Sequence, residues 1–268
     1  MKKNTQTGLS SSERKIVAHF SANEQTSIDV DALLGVMSIS RPAAHQILSR
    51  LERKGWLQRL KRGKYALVPI SSNSANPVIE DALPLAMDLF KPAFISGWSA
   101  AEHWDLTEQI FNSVSVVTAK TQRQSEVKAG GILFRLRVIP KDRFFGSKSI
   151  WFGSKQVEIA DPSRMVIDIL DLPRFGGGGR HTVDVIREYL KSKHCNLDLL
   201  LEYALRYKKG SVFKRLGFLV ENFHPAVTGD WCHRCISNLS AGVSLLDPDG
   251  PSQGKTSTKW KLRINLPI

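Results

Sequence analysis

Apolar residues fall at helical spacing in three short stretches at the start of the chain and then switch to strict alternation. In ERKIVAHF, Ile16, Val17 and Phe20 share one side of a helix, with Ser11 or Ser12 as its N-cap. VDALLGV predicts a second short helix, opened near Asp29 or Asp31, with Leu33, Leu34 and Val36 turned inward. Met37-Ser38-Ile39 makes a tight turn into Ser40, an N-cap followed by Arg41 and Pro42 in the first turn, where proline is tolerated. The third helix, RPAAHQILSRLERKG, stops at Gly55. Beyond it, residues 56–60 and 65–68 alternate around Lys61-Arg62-Gly63-Lys64 and predict a hairpin with a cationic tip.

At about 100° per residue, the third helix gathers Ala44, Ile47, Leu48 and Leu51 on one side. The other side collects Pro42, His45, Gln46, Ser49 and Arg53, flanked by Arg41 and Arg50, and it carries no acid; Glu52 sits nearer the core edge. Two helices, a tight turn, a basic-faced helix and a basic-tipped hairpin make a winged helix-turn-helix over 1–70. Ser40, Arg41, His45, Gln46, Ser49, Arg50 and Arg53 are the expected DNA contacts of the recognition helix in the major groove. Lys61, Arg62 and Lys64 are expected on the phosphates beside the wing. A winged helix that binds protein instead is the main competitor, because fold alone does not fix function.

Residues 71–77, SSNSANP, have the composition of a linker, and 78–268 read as a larger mixed α/β domain, giving an α+β fold class overall. Helices are expected at 82–90, at AAEHW after Ser99, at 163–170 behind Asp161 and Pro162, and at 183–190, 197–207 and 211–220. Strands are expected at 92–96, 112–117, 132–138 and 260–265, with a hairpin over 150–152 and 156–159. The GGGG run at 176–179 reads as a flexible loop.

Charge sharpens this division. The 268 residues carry a net charge of +13 with a pI near 9.8. Twelve cations against five carboxylates lie in the first seventy residues, so a quarter of the chain holds more than half of the excess. That balance suggests a polyanionic partner. No window approaches the roughly 18 to 20 apolar residues of a bilayer span, and the basic N-terminus lacks the apolar core of a secretory signal. Cys195, Cys232 and Cys235 are too few and too clustered for a disulfide framework, and the expected compartment is the reducing cytoplasm.

Enzyme chemistry finds little support. Cys232-His233-Arg234-Cys235 with His224 upstream lacks a second ligand pair for zinc, Cys195 and His194 being distant in sequence, and as a CxxC it does not open a helix after a strand. Glu126-Val127-Lys128 matches the E-x-K half of a metal-dependent nuclease but lies in a polar connector. Asp168 and Asp171 share a helix face and read as partners in structural ion pairs. No P-loop, GxSxG or H-E-x-x-H is present. Lys120, Arg123, Lys128, Lys208, Lys209, Lys214 and Arg215 read as surface cations, either plainly solvated or an auxiliary surface for nucleic acid or a protein target. Ser99, Glu102 and His103 have no assignable chemistry. The expectation is a non-enzymatic protein with no cofactor and no metal.

ISGWSAAEHWDLTEQ (95–109), VVTAKTQRQSEVKAG (116–130), IADPSRMVIDILDLPRFGGG (159–178) and KRLGFLVE (214–221) resemble the AbiEi antitoxin family; the preceding winged helix and linker fit it too, and the closing LLDPDGPSQGKTSTKWKLRINLPI is similar to its last strand. The resemblance implies an antitoxin of a type IV toxin–antitoxin, or phage abortive-infection, system. It implies that the N-terminal domain binds inverted repeats in its own promoter DNA and represses the operon. It also implies a nucleotidyltransferase-like toxin, countered by the C-terminal domain without a stable complex. Two alternatives stay open: a winged-helix-tethered metal-dependent nuclease, and a ligand-responsive transcriptional regulator.

Overall fold

The first helix opens one residue ahead of its predicted cap. A computed structural model describes residues 7–23, 27–68, 82–227 and 229–268. In it, α1 (Ser11–Ala22) is capped by Ser10, whose Oγ accepts from the Glu13 amide while the Glu13 carboxylate accepts from Ser10 N at 2.8 Å. Only Ser10 stands three residues before Glu13, so this reciprocal capping box replaces the expected cap at Ser11 or Ser12. α2 (Val30–Val36) opens on Asp29, which accepts from Ala32 N, and α3 (Arg41–Arg53) opens on Ser40 with Pro42 in its first turn. Gly55, at φ +78°, takes the left-handed position that ends α3, where a Cβ would be strained.

β1 (Leu57–Lys61) and β2 (Lys64–Leu67) pair antiparallel across a two-residue loop, Lys61 opposite Lys64. Ile28 adds a bridge to Tyr65, exchanging both backbone hydrogen bonds at 2.7 and 2.8 Å. Ile16, Phe20, Leu33, Ala44, Leu48, Leu51 and Tyr65 close a core between the helices and this hairpin. α3 thus buries one side, and the winged helix-turn-helix read from the sequence is present.

Further along come α4 (Ala82–Phe90), β3 (Ala93–Ile95), α5 (Gly97–His103), β4 (Ser113–Thr118), β5 (Glu126–Ala129) and β6 (Ile132–Val138). They are followed by β7 (Ser147–Phe152), β8 (Lys155–Ala160), α6 (Pro162–Asp171), α7 (Gly179–Lys191), α8 (Leu197–Tyr207) and α9 (Gly210–Phe223). α10 (Asp230–Ile236), β9 (Ser244–Leu245), β10 (Lys255–Ser257) and β11 (Leu262–Ile264) complete the chain. The protein is α+β, as its sequence pattern indicates.

The chain divides into two compact units, Met1–Lys91 with Gln124–Phe134, and Pro92–Arg123 with Arg135–Ile268. The linker expected at 71–77 lies outside the described residues. α4, assigned by sequence to the second domain, groups with the winged helix, and so does β5, which lies against β1. β5 was expected to be a polar connector; its EVKA run alternates polar and apolar residues over only four positions, too few to announce a strand.

In the second unit the strands run in the order β6-β4-β3-β8-β7, with β3 antiparallel to β4 and parallel to β8. α6 is buried along its whole length and packs against α5, α7, α8 and α9. Asp161 caps it, accepting from Arg164 N at 2.9 Å. Ser99 does not cap α5; it lies inside the helix, buried, and its Oγ accepts from Ser115 N at 3.0 Å. The glycine run is a packed turn rather than the open loop expected. A Cβ on Gly176 would come within 2.8 Å of Ile169, and one on Gly179 within 2.4 Å of Asp247.

Candidate nucleic-acid interface

The capped start of α3 and its buried face fix which side chains face outward. Ser40, Arg41, Pro42, His45, Gln46, Ser49, Arg50 and Arg53 are all exposed, while Ala44, Leu48 and Leu51 are fully buried. His45, Gln46, Ser49 and Arg53 show no partner of their own among the described residues, so their donors and acceptors meet solvent. The Ser40 hydroxyl accepts from Ala43 N at 3.4 Å and keeps its own O–H to donate. Imidazole, amide, hydroxyl and guanidinium groups on one acid-free helix face are the chemistry that reads base edges and grips phosphates.

Two other cations of α3 are held by carboxylates. Arg41 pairs with Asp31, both side chains exposed at 59% and 72%, so the pair contributes little to stability and can open toward a phosphate. Arg50 Nε donates to Glu13 Oε1 at 2.7 Å, and Lys54 Nζ to Glu13 Oε2 at 2.7 Å and to Gly8 O at 3.1 Å. The Glu13 side chain is only 2% exposed. The Lys54 ammonium first, then the Ser10 amide and Arg50, hold its carboxyl down to about 2, against a burial that would raise it. The group that caps α1 therefore also fastens α3 to it, which fixes the pose of the outer face.

The wing is less exposed than its sequence suggests. Arg62 at the loop and Arg59 on β1 are exposed, but Lys61 and Lys64 turn onto α4. Lys61 Nζ donates to Leu89 O and lies 5.5 Å from the centre of the Phe90 ring. Lys64 Nζ donates to Asp88 O at 2.8 Å and faces Asp29 Oδ2 at 3.9 Å.

The second unit gathers a different set of charges, in which Asp168 and Asp171 are ion-paired as their sequence pattern suggests, with partners that the sequence mostly does not reveal. Arg164, fully buried on α6, donates Nε and Nη2 to the two Asp168 oxygens at 3.1 and 3.0 Å, and Nη1 to the carbonyls of Arg143 and Phe145. Ser96 Oγ donates to Asp168 Oδ2 at 2.8 Å. Asp171 pairs with Arg137 and Lys209 and accepts from Tyr207 Oη at 2.7 Å. Burial alone would raise the Asp171 carboxyl; Arg137, Lys209 and Tyr207 outweigh it and hold it below its ordinary value. Asp168 and Asp171 are thus members of a satisfied ion-pair network. The signal available in the sequence was Arg164 placed four residues before Asp168 on an otherwise apolar helix, which is buried all round.

Lys214 and Arg215, expected at the surface, are 1% and 5% exposed. Lys214 Nζ donates to Gly242 O at 2.8 Å and Ser244 Oγ at 3.2 Å; Arg215 donates to Leu245 O at 3.0 Å and Leu170 O at 2.7 Å. Their partners lie on a segment some thirty residues later and, for Arg215, on α6 as well, which spacing cannot reveal. Lys120, Arg123, Lys128 and Lys208 are exposed. The E-x-K triplet lies on β5 with Glu126 and Lys128 exposed, and its sheet neighbour β6 carries no acid. Cys232 and Cys235 lie on α10 with buried thiols, Cys235 pushed up to about 12 by that burial. Among the described residues, no group of three or more His, Cys, Asp and Glu could hold a metal ion, and no helix is long and apolar enough to cross a membrane.

Residues 29–68 match the AbiEi_4 family, described as transcriptional regulator, AbiEi antitoxin. The matched stretch runs from the cap of α2 to the end of the hairpin and bears out, over that length, the resemblance read from the sequence. It supports a role in transcription regulation and an antitoxin family for the winged helix. No curated protein sequence matches the chain. The crystal structure of the RV2827C protein from Mycobacterium tuberculosis is similar, with 14% identity, coverage of 97% of this chain and 93% of that one, and a TM-score of 0.67. At that identity the likeness concerns the fold alone.

Proposed function

We propose that this protein is a non-enzymatic antitoxin and autorepressor whose α3 enters the major groove of inverted repeats in its own promoter. The observation that carries the reading is the outer face of α3: His45, Gln46, Ser49 and Arg53 exposed, acid-free and without partners among the described residues, on a helix clamped through Glu13. Ser40, Arg41 and Arg50 flank this face as phosphate contacts, and Arg62 extends it at the wing. An unclamped helix would lose orientational freedom on binding; a clamped one presents its donors already arranged. The family match over 29–68 supports the regulator and antitoxin roles. The finer reading is a type IV system of the cytoplasm, active in abortive infection by phage, in which the partner is a nucleotidyltransferase-like toxin opposed without a stable complex.

Fluorescence anisotropy with the fragment upstream of the gene, against a scrambled duplex at low ionic strength, tests the repressor half. Preferential binding that weakens steeply with salt is the expected result; no binding at low salt removes it. Co-expression with a neighbouring nucleotidyltransferase-like gene tests the antitoxin half, with restored growth expected and continued arrest contradicting it.

A further inference from the structure

The last carbonyls of a helix lack intrahelical donors and carry the negative end of its dipole, so they attract cations. α4 has no basic residue in its own last turn. The donors come from the wing instead: Lys61 to Leu89 O and Lys64 to Asp88 O. Lys61 also lies over the Phe90 ring, and Ser27 Oγ donates to Asp88 Oδ2 at 3.3 Å, so the same turn is held by the hairpin and by the residue ahead of Ile28. An ammonium engaged in this way spends one of its three N–H donors on a helix-terminal carbonyl and is drawn toward α4, so it reaches a phosphate less freely than an untied cation. Arg62, exposed at the loop, has no such tie.

Resting on the DNA-binding reading above, we infer that Lys61 and Lys64 are positioning residues that clasp the wing to α4, and that Arg62 is the wing cation that meets the phosphate backbone. The DNA-binding unit accordingly extends through α4, which sequence reading assigned to the second domain. The turn Lys61-Arg62-Gly63-Lys64 divides its labour: the outer cations are turned inward and fix the loop, and the inner one points out.

The test uses the full chain on the promoter duplex, following log Kd against log salt. Each lost phosphate contact lowers the slope by about 0.9. Arg62→Ala is expected to lower it by that amount, whereas Lys61→Gln and Lys64→Gln keep the wild-type slope and lower the thermal midpoint of the first unit. A slope reduced by about 0.9 in either lysine variant, or unchanged in Arg62→Ala, overturns the inference. Because a loosened wing could cloud the lysine variants, acetylation of the wild-type protein by an amine-reactive reagent, read by mass spectrometry, gives a second measure. Slow modification of Lys61 and Lys64 before DNA is added, unchanged by DNA, is expected; fast modification that DNA suppresses contradicts the clasp. If the wild type binds no DNA, the repressor reading fails, and acetylation of the free protein still decides whether these lysines are engaged.

Discussion

The two units treat similar charge in opposite ways. In the winged helix, the cations of α3 lie at the surface and, among the described residues, the only deeply buried charge is Glu13, a carboxylate that holds Arg50 and, just past the helix, Lys54. In the second unit the cations Arg164, Lys214 and Arg215 are themselves buried, alongside Asp161, Asp168 and Asp171, and each is occupied by carbonyls or carboxylates of its own chain. A basic composition is therefore no measure of a basic surface. Where a carboxylate is buried beneath cations, the cations stay outside and available; where cations are buried, their charge is absorbed by the fold. The proposed DNA-binding face is placed on α3 for that reason.

The largest effect is expected where this contrast is deepest. Arg164→Met leaves the Asp168 carboxylate buried with its bidentate partner gone, and breaking a buried pair from one side costs about 3–5 kcal/mol. Chemical denaturation should show the loss in the second unit, with promoter affinity per folded molecule unchanged. A stability change below about 1 kcal/mol would mean that the network is not the central support that its burial implies.

Glu13→Gln comes next, at about 2 kcal/mol in the first unit, because it weakens the capping box and both ties to α3. It also has a pH signature. The folded carboxyl is held near 2, below its ordinary 4.5, so its contribution is complete above about 4.5 and fades as pH falls from there toward 2. Wild-type stability should fall across that window more steeply than that of the variant; parallel curves would show that Glu13 is not the anchor.

Smaller again, Arg53→Ala should weaken promoter binding by about 1 kcal/mol, or more if the contact is bidentate to a base, and leave the melting temperature unchanged. The smallest effect belongs to Arg41→Ala: its exposed pair with Asp31 supplies about 0–1 kcal/mol of stability, while loss of a phosphate contact would lower the salt slope by about 0.9. A stability loss in Arg53→Ala comparable to that of Glu13→Gln would erase the division between exposed and anchoring charges.

The winged helix was legible because its signals are local: Ser40 and Pro42 start α3, Gly55 ends it, and one turn of a wheel sorts Leu48 from Gln46. What escaped depends on residues far apart in sequence. Lys214 next to Arg215 reads as a solvated pair until Gly242 and Leu245 are placed against them. Nothing in the hairpin's own residues announces that Lys61 and Lys64 donate to the last carbonyls of α4. β5 and α10 were missed for a different reason, since EVKA and DWCHRCI are too short and polar to carry a period. At the candidate site the outward residues of α3 could be read from the wheel, whereas their anchoring by Glu13 could not.

Replacing His45, Gln46 and Ser49 together by alanine removes the uncharged readers of α3 and leaves every cation in place. In competition between the promoter duplex and random-sequence DNA, this triple variant should lose nearly all preference for the promoter while keeping its affinity for random DNA within a few-fold. Promoter preference equal to that of the wild type would contradict the assignment of sequence recognition to this helix face.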